Sequence, residues 1–117
     1  MKTIIASLIL LLSSTAQAMT IENFNRNLQN NPEENKYYII GLGTGYTWMN
    51  TYYKTQGITD TQIFCPPPKI ALNADNYIAL IQEQIKELNT YKTVDEVNAY
   101  PVEMLLLLSL QRSFPCP

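Results

Sequence analysis

Few residues in this chain could do chemistry. It has 117 residues, two cysteines and no histidine. Without histidine there is no Ser-His or Cys-His nucleophile pair and no histidine metal ligand. Carboxylates pair at Glu33-Glu34 and Asp95-Glu96. Adjacent residues on a helix point in different directions, so neither pair converges on a substrate. The loop around Asp60 offers too few oxygens for calcium. Gly41-Leu42-Gly43-Thr44-Gly45 looks like a phosphate loop. It lacks the Lys-Ser/Thr of that motif and the G-x-G-x-x-G spacing of a βαβ unit. The expectation is a protein that is not an enzyme, with no catalytic residue, no cofactor and no metal.

The cysteines have a different use. Cys65 lies in Ile63-Phe64-Cys65-Pro66-Pro67-Pro68 and Cys116 in Phe114-Pro115-Cys116-Pro117. Each has an aromatic residue nearby and proline alongside. In an oxidising compartment two cysteines pair, and two allow a single connectivity. A Cys65–Cys116 bridge closes a loop of about 50 residues, which in the chain-entropy model stabilises by about 4 kcal/mol. That is comparable to the whole net stability of a small domain.

The beginning of the chain supplies such a compartment. Lys2 precedes an apolar run from Ile4 to Leu12, and Ala16-Gln17-Ala18 has the A-x-A form of a cleavage site. The run is shorter than the roughly 20 residues of a membrane span. Residues 1–18 therefore read as a signal peptide cut after Ala18. No cysteine follows the run, which disfavours a lipoprotein. Residues 19–117 then form one domain, large enough for a core and small enough to benefit from a staple. Losing Lys2 leaves seven basic residues against ten acidic. No basic stripe is present, so neither nucleic acid nor an anionic membrane is an expected partner.

The elements that position these residues read as helices. Thr20 caps a short amphipathic helix with Ile21, Phe24 and Leu28 on one face, weakened by Asn23, Asn25 and Asn27. Asn30-Asn31-Pro32 stops it. From Glu33 to about Tyr53, Ile39, Leu42, Tyr46, Met49 and Tyr53 form one stripe. Tyr38, Gly41, Gly45, Trp48 and Tyr52 form a second. That coverage predicts a central helix buried by the others, with Gly41 and Gly45 at a close helix–helix approach. A strand at Lys36 to Leu42 is the competing reading, because Tyr-Tyr-Ile-Ile favours β structure. Lys54 to Ile70 is a connection, stiffened by its prolines. Asn73 caps a helix running to Leu88, with Ile78, Ile81, Ile85 and Leu88 inward and Gln82, Glu83, Lys86 and Glu87 outward. Thr93-Val94-Asp95-Glu96 is a capping box. Pro101 breaks that segment or opens the last helix, Val102 to Arg112. The fold class is all-α, a small bundle of four or five helices braced by one disulfide.

Three motifs in order carry a family likeness. Tyr38-Ile39-Ile40-Gly41-Leu42-Gly43-Thr44-Gly45, Ile63-Phe64-Cys65-Pro66-Pro67, and a Leu-rich helix into Ser113-Phe114-Pro115-Cys116 together resemble the Rap/Tai immunity protein family, over about Lys36 to Cys116. The chain departs from that pattern at Thr44 and Gly45, where relatives often carry an acidic residue, and in lacking an extra cysteine pair. The resemblance implies a periplasmic, all-helical protein, in several cases a homodimer. Such proteins protect bacteria from type VI secretion amidase effectors by occluding the effector's active-site cleft. Exposure and polarity then suggest the contact residues: Gln56, Thr59, Asp60 and Thr61 in one loop, or Asn89 and Thr90 in the Asn89 to Thr93 turn. Two other readings stand beside it, a periplasmic stress or chaperone-like helical protein, and an orphan of the same fold with another partner.

Overall fold

The computed structural model describes residues 18–58 and 62–117. The expected leader up to Gln17, and Thr59, Asp60 and Thr61, lie outside the described residues. Among the described residues the chain forms five helices: α1 (Ile21–Asn30), α2 (Pro32–Thr55), α3 (Ala74–Leu88), α4 (Val94–Ala99) and α5 (Val102–Ser113). The all-α class is as the periodicity predicts, and Lys36 to Leu42 is helix, not strand.

Local signals set the boundaries. The Asn23 N–H donates to the Thr20 hydroxyl at 3.2 Å and caps α1. Three asparagines make α1 a weak helix by itself. It is held by Ile21 and Phe24, both fully buried, and by backbone pairing with the α4–α5 junction. There the Ile21 N–H donates to Tyr100 O at 3.0 Å and the Val102 N–H to Met19 O at 2.8 Å. Pro32 opens α2, where its missing N–H loses no bond. Asn73 and Asn76 cap α3 reciprocally, each side chain accepting from the other's backbone N–H at 2.9 Å. The Thr93 hydroxyl accepts from the Glu96 N–H at 3.3 Å and starts α4. Pro101 stands at the N-cap of α5 in extended backbone, so it both ends α4 and begins α5.

α3 lies between α2 and α5 and contributes Tyr77, Ile78, Ile81, Ile85 and Leu88 to the core. α5 adds Val102, Leu105, Leu106 and Leu110. Burying each such aliphatic side chain stabilises by about 1.5–3 kcal/mol. Cys65 and Cys116 are bonded, with Sγ atoms 2.09 Å and Cα atoms 4.9 Å apart. The Cys65 N–H also donates to Phe114 O at 2.7 Å, so the chain end is tied by backbone as well as by sulfur.

α2 departs from expectation. Only Asn35, Ile39, Gly43 and Asn50 of this helix are buried. The second stripe faces outward: Trp48 is 69% exposed, Tyr52 55%, and Tyr37 beside them 75%. Three helices pack along one side of α2, and no described element covers the other. The glycines follow suit. A Cβ built at Gly41 or Gly45 meets nothing within 4 Å. The close approach is at Gly43, where a Cβ would overlap the ring of Tyr77 from α3. The four-residue spacing of Gly41 and Gly45 therefore marks an open face. Gly57 is the residue with positive φ, 64°, and turns the chain out of α2.

Two outcomes are expected for stability. Cys65→Ser lowers unfolding free energy by about 2–5 kcal/mol in urea titration, and the native protein weighs about two daltons less than its reduced form. Free thiols in protein from an oxidising compartment would contradict both. Gly43→Ala destabilises by about 1–3 kcal/mol through overpacking on Tyr77. Gly41→Ala and Gly45→Ala each stabilise by about 0.5–1 kcal/mol, since nothing obstructs the new methyl group. The same urea titrations check the opposite signs.

Candidate functional site

The described residues contain no group of three or more His, Cys, Asp or Glu side chains that could hold a metal. Glu33 and Glu34 lie in the first turn of α2, and Asp95 and Glu96 in the first turn of α4. Acids at helix N-termini interact favourably with the positive helix ends. Among the described residues the exposed aromatic surface is concentrated on α2, at Tyr37, Tyr38, Trp48 and Tyr52.

That surface follows from the helix repeat. Tyr37, Gly41, Gly45, Trp48 and Tyr52 fall at three- and four-residue steps and share the side away from Ile39, Gly43 and Asn50. No charged residue occurs between Lys36 and Lys54. The outward face is thus an uncharged ridge of three aromatic rings with two glycine steps. Where it meets the segment after Cys65, a shallow groove of about 250 Å³ opens between Thr44, Thr47, Pro66, Ile70, Leu72 and Tyr77.

Polar clamps hold this surface in place. Asn50 is only 3% exposed. Its amide donates to Phe64 O at 2.7 Å, and its Oδ1 accepts from the Ile63 N–H at 2.6 Å. One side chain on α2 therefore satisfies both backbone groups just ahead of Cys65. At the other end of the helix, the hydroxyl of Tyr38 donates to Glu103 Oε1. The hydroxyl of Tyr46 donates to the main-chain carbonyl of Glu103 at 2.8 Å. Partial burial, then the Glu103 hydrogen bond and charge, push the Tyr38 phenol up to about 12. Burial and the same carboxylate raise Tyr46. Both therefore stay protonated donors at physiological pH.

Comparison with known protein families, with curated proteins and with solved structures finds no match. The site is therefore argued from its own geometry.

The contact residues suggested by sequence that the structure describes stand at helix ends. Gln56 is exposed at the C-cap of α2. Asn89 and Thr90 are exposed on the turn after α3, where the Thr90 hydroxyl donates to Glu87 O at 2.6 Å. Thr59, Asp60 and Thr61 lie outside the described residues. The α2 ridge was absent from those candidates because its apolar stripe reads as core. Residue type gave only a partial signal: both stripes carry tyrosine, at Tyr46 and Tyr53 on one and at Tyr38 and Tyr52 on the other, but only the second has Trp48 and two glycines and lacks an aliphatic residue.

Asn50→Ala removes a donor and an acceptor that face buried backbone groups. Urea titration should show a loss of about 2–4 kcal/mol, with the disulfide still formed. Asn50→Asp loses the bond to Phe64 O and sets a carboxylate against that carbonyl in a buried site, so it should cost at least as much as alanine at neutral pH. A neutral Asn50→Ala would remove Asn50 as the clamp.

Proposed function

We propose that this chain is an exported binding protein that docks the outward face of α2 on a partner protein, with no chemistry of its own. One observation carries the reading. Tyr37, Trp48 and Tyr52 stand exposed on a helix face without charge between Lys36 and Lys54, and Gly41 and Gly45 leave steps between them with no neighbour among the described residues. Tyr and Trp are the side chains that most often anchor protein interfaces. The absence of charge lowers the desolvation cost of burying them. Glycine steps let a partner's backbone approach the helix closely.

The partner we propose is a type VI secretion amidase effector, whose cleft the ridge occludes in the periplasm. The resemblance of Tyr38 to Gly45, Ile63 to Pro67 and Ser113 to Cys116 to immunity proteins supports that class. The Cys65–Cys116 bond is compatible with an exported location. No helix among the described residues is long and apolar enough to cross a membrane.

The test is co-expression with an amidase-type effector from the same gene neighbourhood, directed to the periplasm. Wild type should prevent lysis and bind the purified effector. Trp48→Ala should weaken binding about tenfold or more, the scale of a central aromatic anchor. Its melting temperature should be unchanged, because the ring is exposed. Lysis as fast with the protein as without it sinks the amidase reading. Binding lost with Gln56→Ala or Asn89→Ala, but kept with Trp48→Ala, moves the contact to the turns. Equal suppression of client aggregation at low pH by wild type and Trp48→Ala supports the chaperone reading instead.

A further inference from the structure

Met19 lies against a carboxylate that has no cation among the described residues. Its main-chain N–H donates to Glu103 Oε1 at 2.8 Å. The Tyr38 hydroxyl donates to the same oxygen. Glu103 Oε2 is buried and has no hydrogen-bond partner among the described residues. The ion pairs among those residues join Arg26 to Glu22, Lys36 to Asp75 and Arg112 to Glu87, and none reaches Glu103. A buried carboxylate oxygen without a donor is destabilising.

Met19 is also fixed in place. Its carbonyl accepts from the Val102 N–H, and the next turn of chain is pinned by Ile21 to Tyr100. A pocket of about 300 Å³ beside it is lined by Ala18, Met19, Asn23, Asn27 and Tyr38. The wall is thus prepared for a polar group at the nitrogen of Met19, and Met19 is the residue after Ala16-Gln17-Ala18.

We infer that Glu103 is the seat of the α-ammonium formed when the chain is cut between Ala18 and Met19. Hydrolysis breaks the peptide bond between them and adds water. Ala18 leaves with the new carboxylate, and the Met19 amine takes up a proton. One N–H becomes three, with a positive charge. One proton stays on Glu103 Oε1, and a second has the unpartnered Oε2 of the same carboxylate to reach. Processing thus completes an ion pair that the uncut chain cannot form. The inference rests on the expected leader cleavage and is independent of the partner.

The titratable groups facing the new terminus are Glu103 from α5 and Tyr38 and Tyr46 from α2, while α1 offers the uncharged Asn23 and Asn27. The adjacent carboxylate raises the ammonium's pKa above the ordinary α-amino value. Its stabilisation is therefore complete below that ordinary value and fades as pH rises through the raised one.

The experiment uses the full chain, exported and purified, in three forms: wild type, Glu103→Gln, and a chain with one serine inserted between Ala18 and Met19. The insertion keeps the Met19 N–H but moves the charge one residue away. Intact mass should show wild type starting at Met19. At pH 7 wild type should melt about 4 °C or more above the insertion form, as expected for an interaction of a kcal/mol in a small domain. The gap should vanish when both carry Glu103→Gln. The α-amino pKa, followed by NMR, should lie about one unit or more above the usual value near 8 in wild type and return to it in the insertion form. A mature chain starting elsewhere overturns the inference. So does equal melting of wild type and insertion form, or an ordinary α-amino pKa in wild type. Failure of the amidase co-expression leaves these readouts unaffected.

Discussion

The ring of Tyr77 occupies the space that a side chain at position 43 would need. That contact sets how closely α3 approaches α2, and the rest of the fold is built outward from it. α3 carries Ile78, Ile81 and Ile85 against α5. α5 in turn brings Glu103 to Tyr38 and Tyr46 on α2. The bundle closes on itself because α3 sits at the distance that Gly43 permits. A larger residue would push α3 off α2 and shift every contact that follows. This is why one glycine of α2 lies in the core while its two neighbours at 41 and 45 do not.

The polar contacts act at the places where packing runs out. The segment from Gln62 to Pro68 has no helix of its own, and its backbone must be satisfied by something else. Asn50 does this for Ile63 and Phe64, and Phe114 does it for Cys65. The disulfide then joins two pieces of chain already placed by hydrogen bonds. Met19 plays the matching role at the other end, with α1 held to the α4–α5 junction by Ile21 and Val102. Segments weak by propensity are therefore fixed by a few specific bonds to stronger ones.

Much of this was legible in the sequence. Thr20, Asn73 and Thr93 announced their helices because capping is a local interaction between residues two or three apart. Cys65 and Cys116 announced their bond because two cysteines have one pairing. The inward face of α3 was legible because its isoleucines recur at helical spacing with charges opposite. The side of α2 that faces solvent was not, because aromatic residues surround it and periodicity does not say how many neighbours a helix has. Gly41, Gly43 and Gly45 read alike in sequence; only the position of Tyr77, fixed by tertiary packing, separates the buried one from the other two. Glu103 was equally hidden, since its partners Met19 and Tyr38 are far away along the chain.

The outward face of α2 is hard to explain as a requirement of folding. Glycine in a helix interior costs about 1 kcal/mol relative to alanine. Gly41 and Gly45 therefore lower the stability of the longest helix, and no contact among the described residues offsets the loss. Trp48 leaves a large apolar ring in water, which also gains the isolated fold nothing. In a domain of this size such losses matter, and a disulfide worth about 4 kcal/mol is enough to carry them. The braces also lie at both ends of the face. Asn50 anchors α2 near Trp48 and Tyr52, and Tyr38 ties its opposite end to Glu103 beside Met19. Held near both ends, the backbone of this face is fixed, and a surface fixed in advance is one whose association with a partner, as proposed above, loses less conformational entropy. Tyr38 lies one residue from Tyr37, so the contact with Glu103 beside Met19 also fixes the backbone at the N-terminal end of the exposed face.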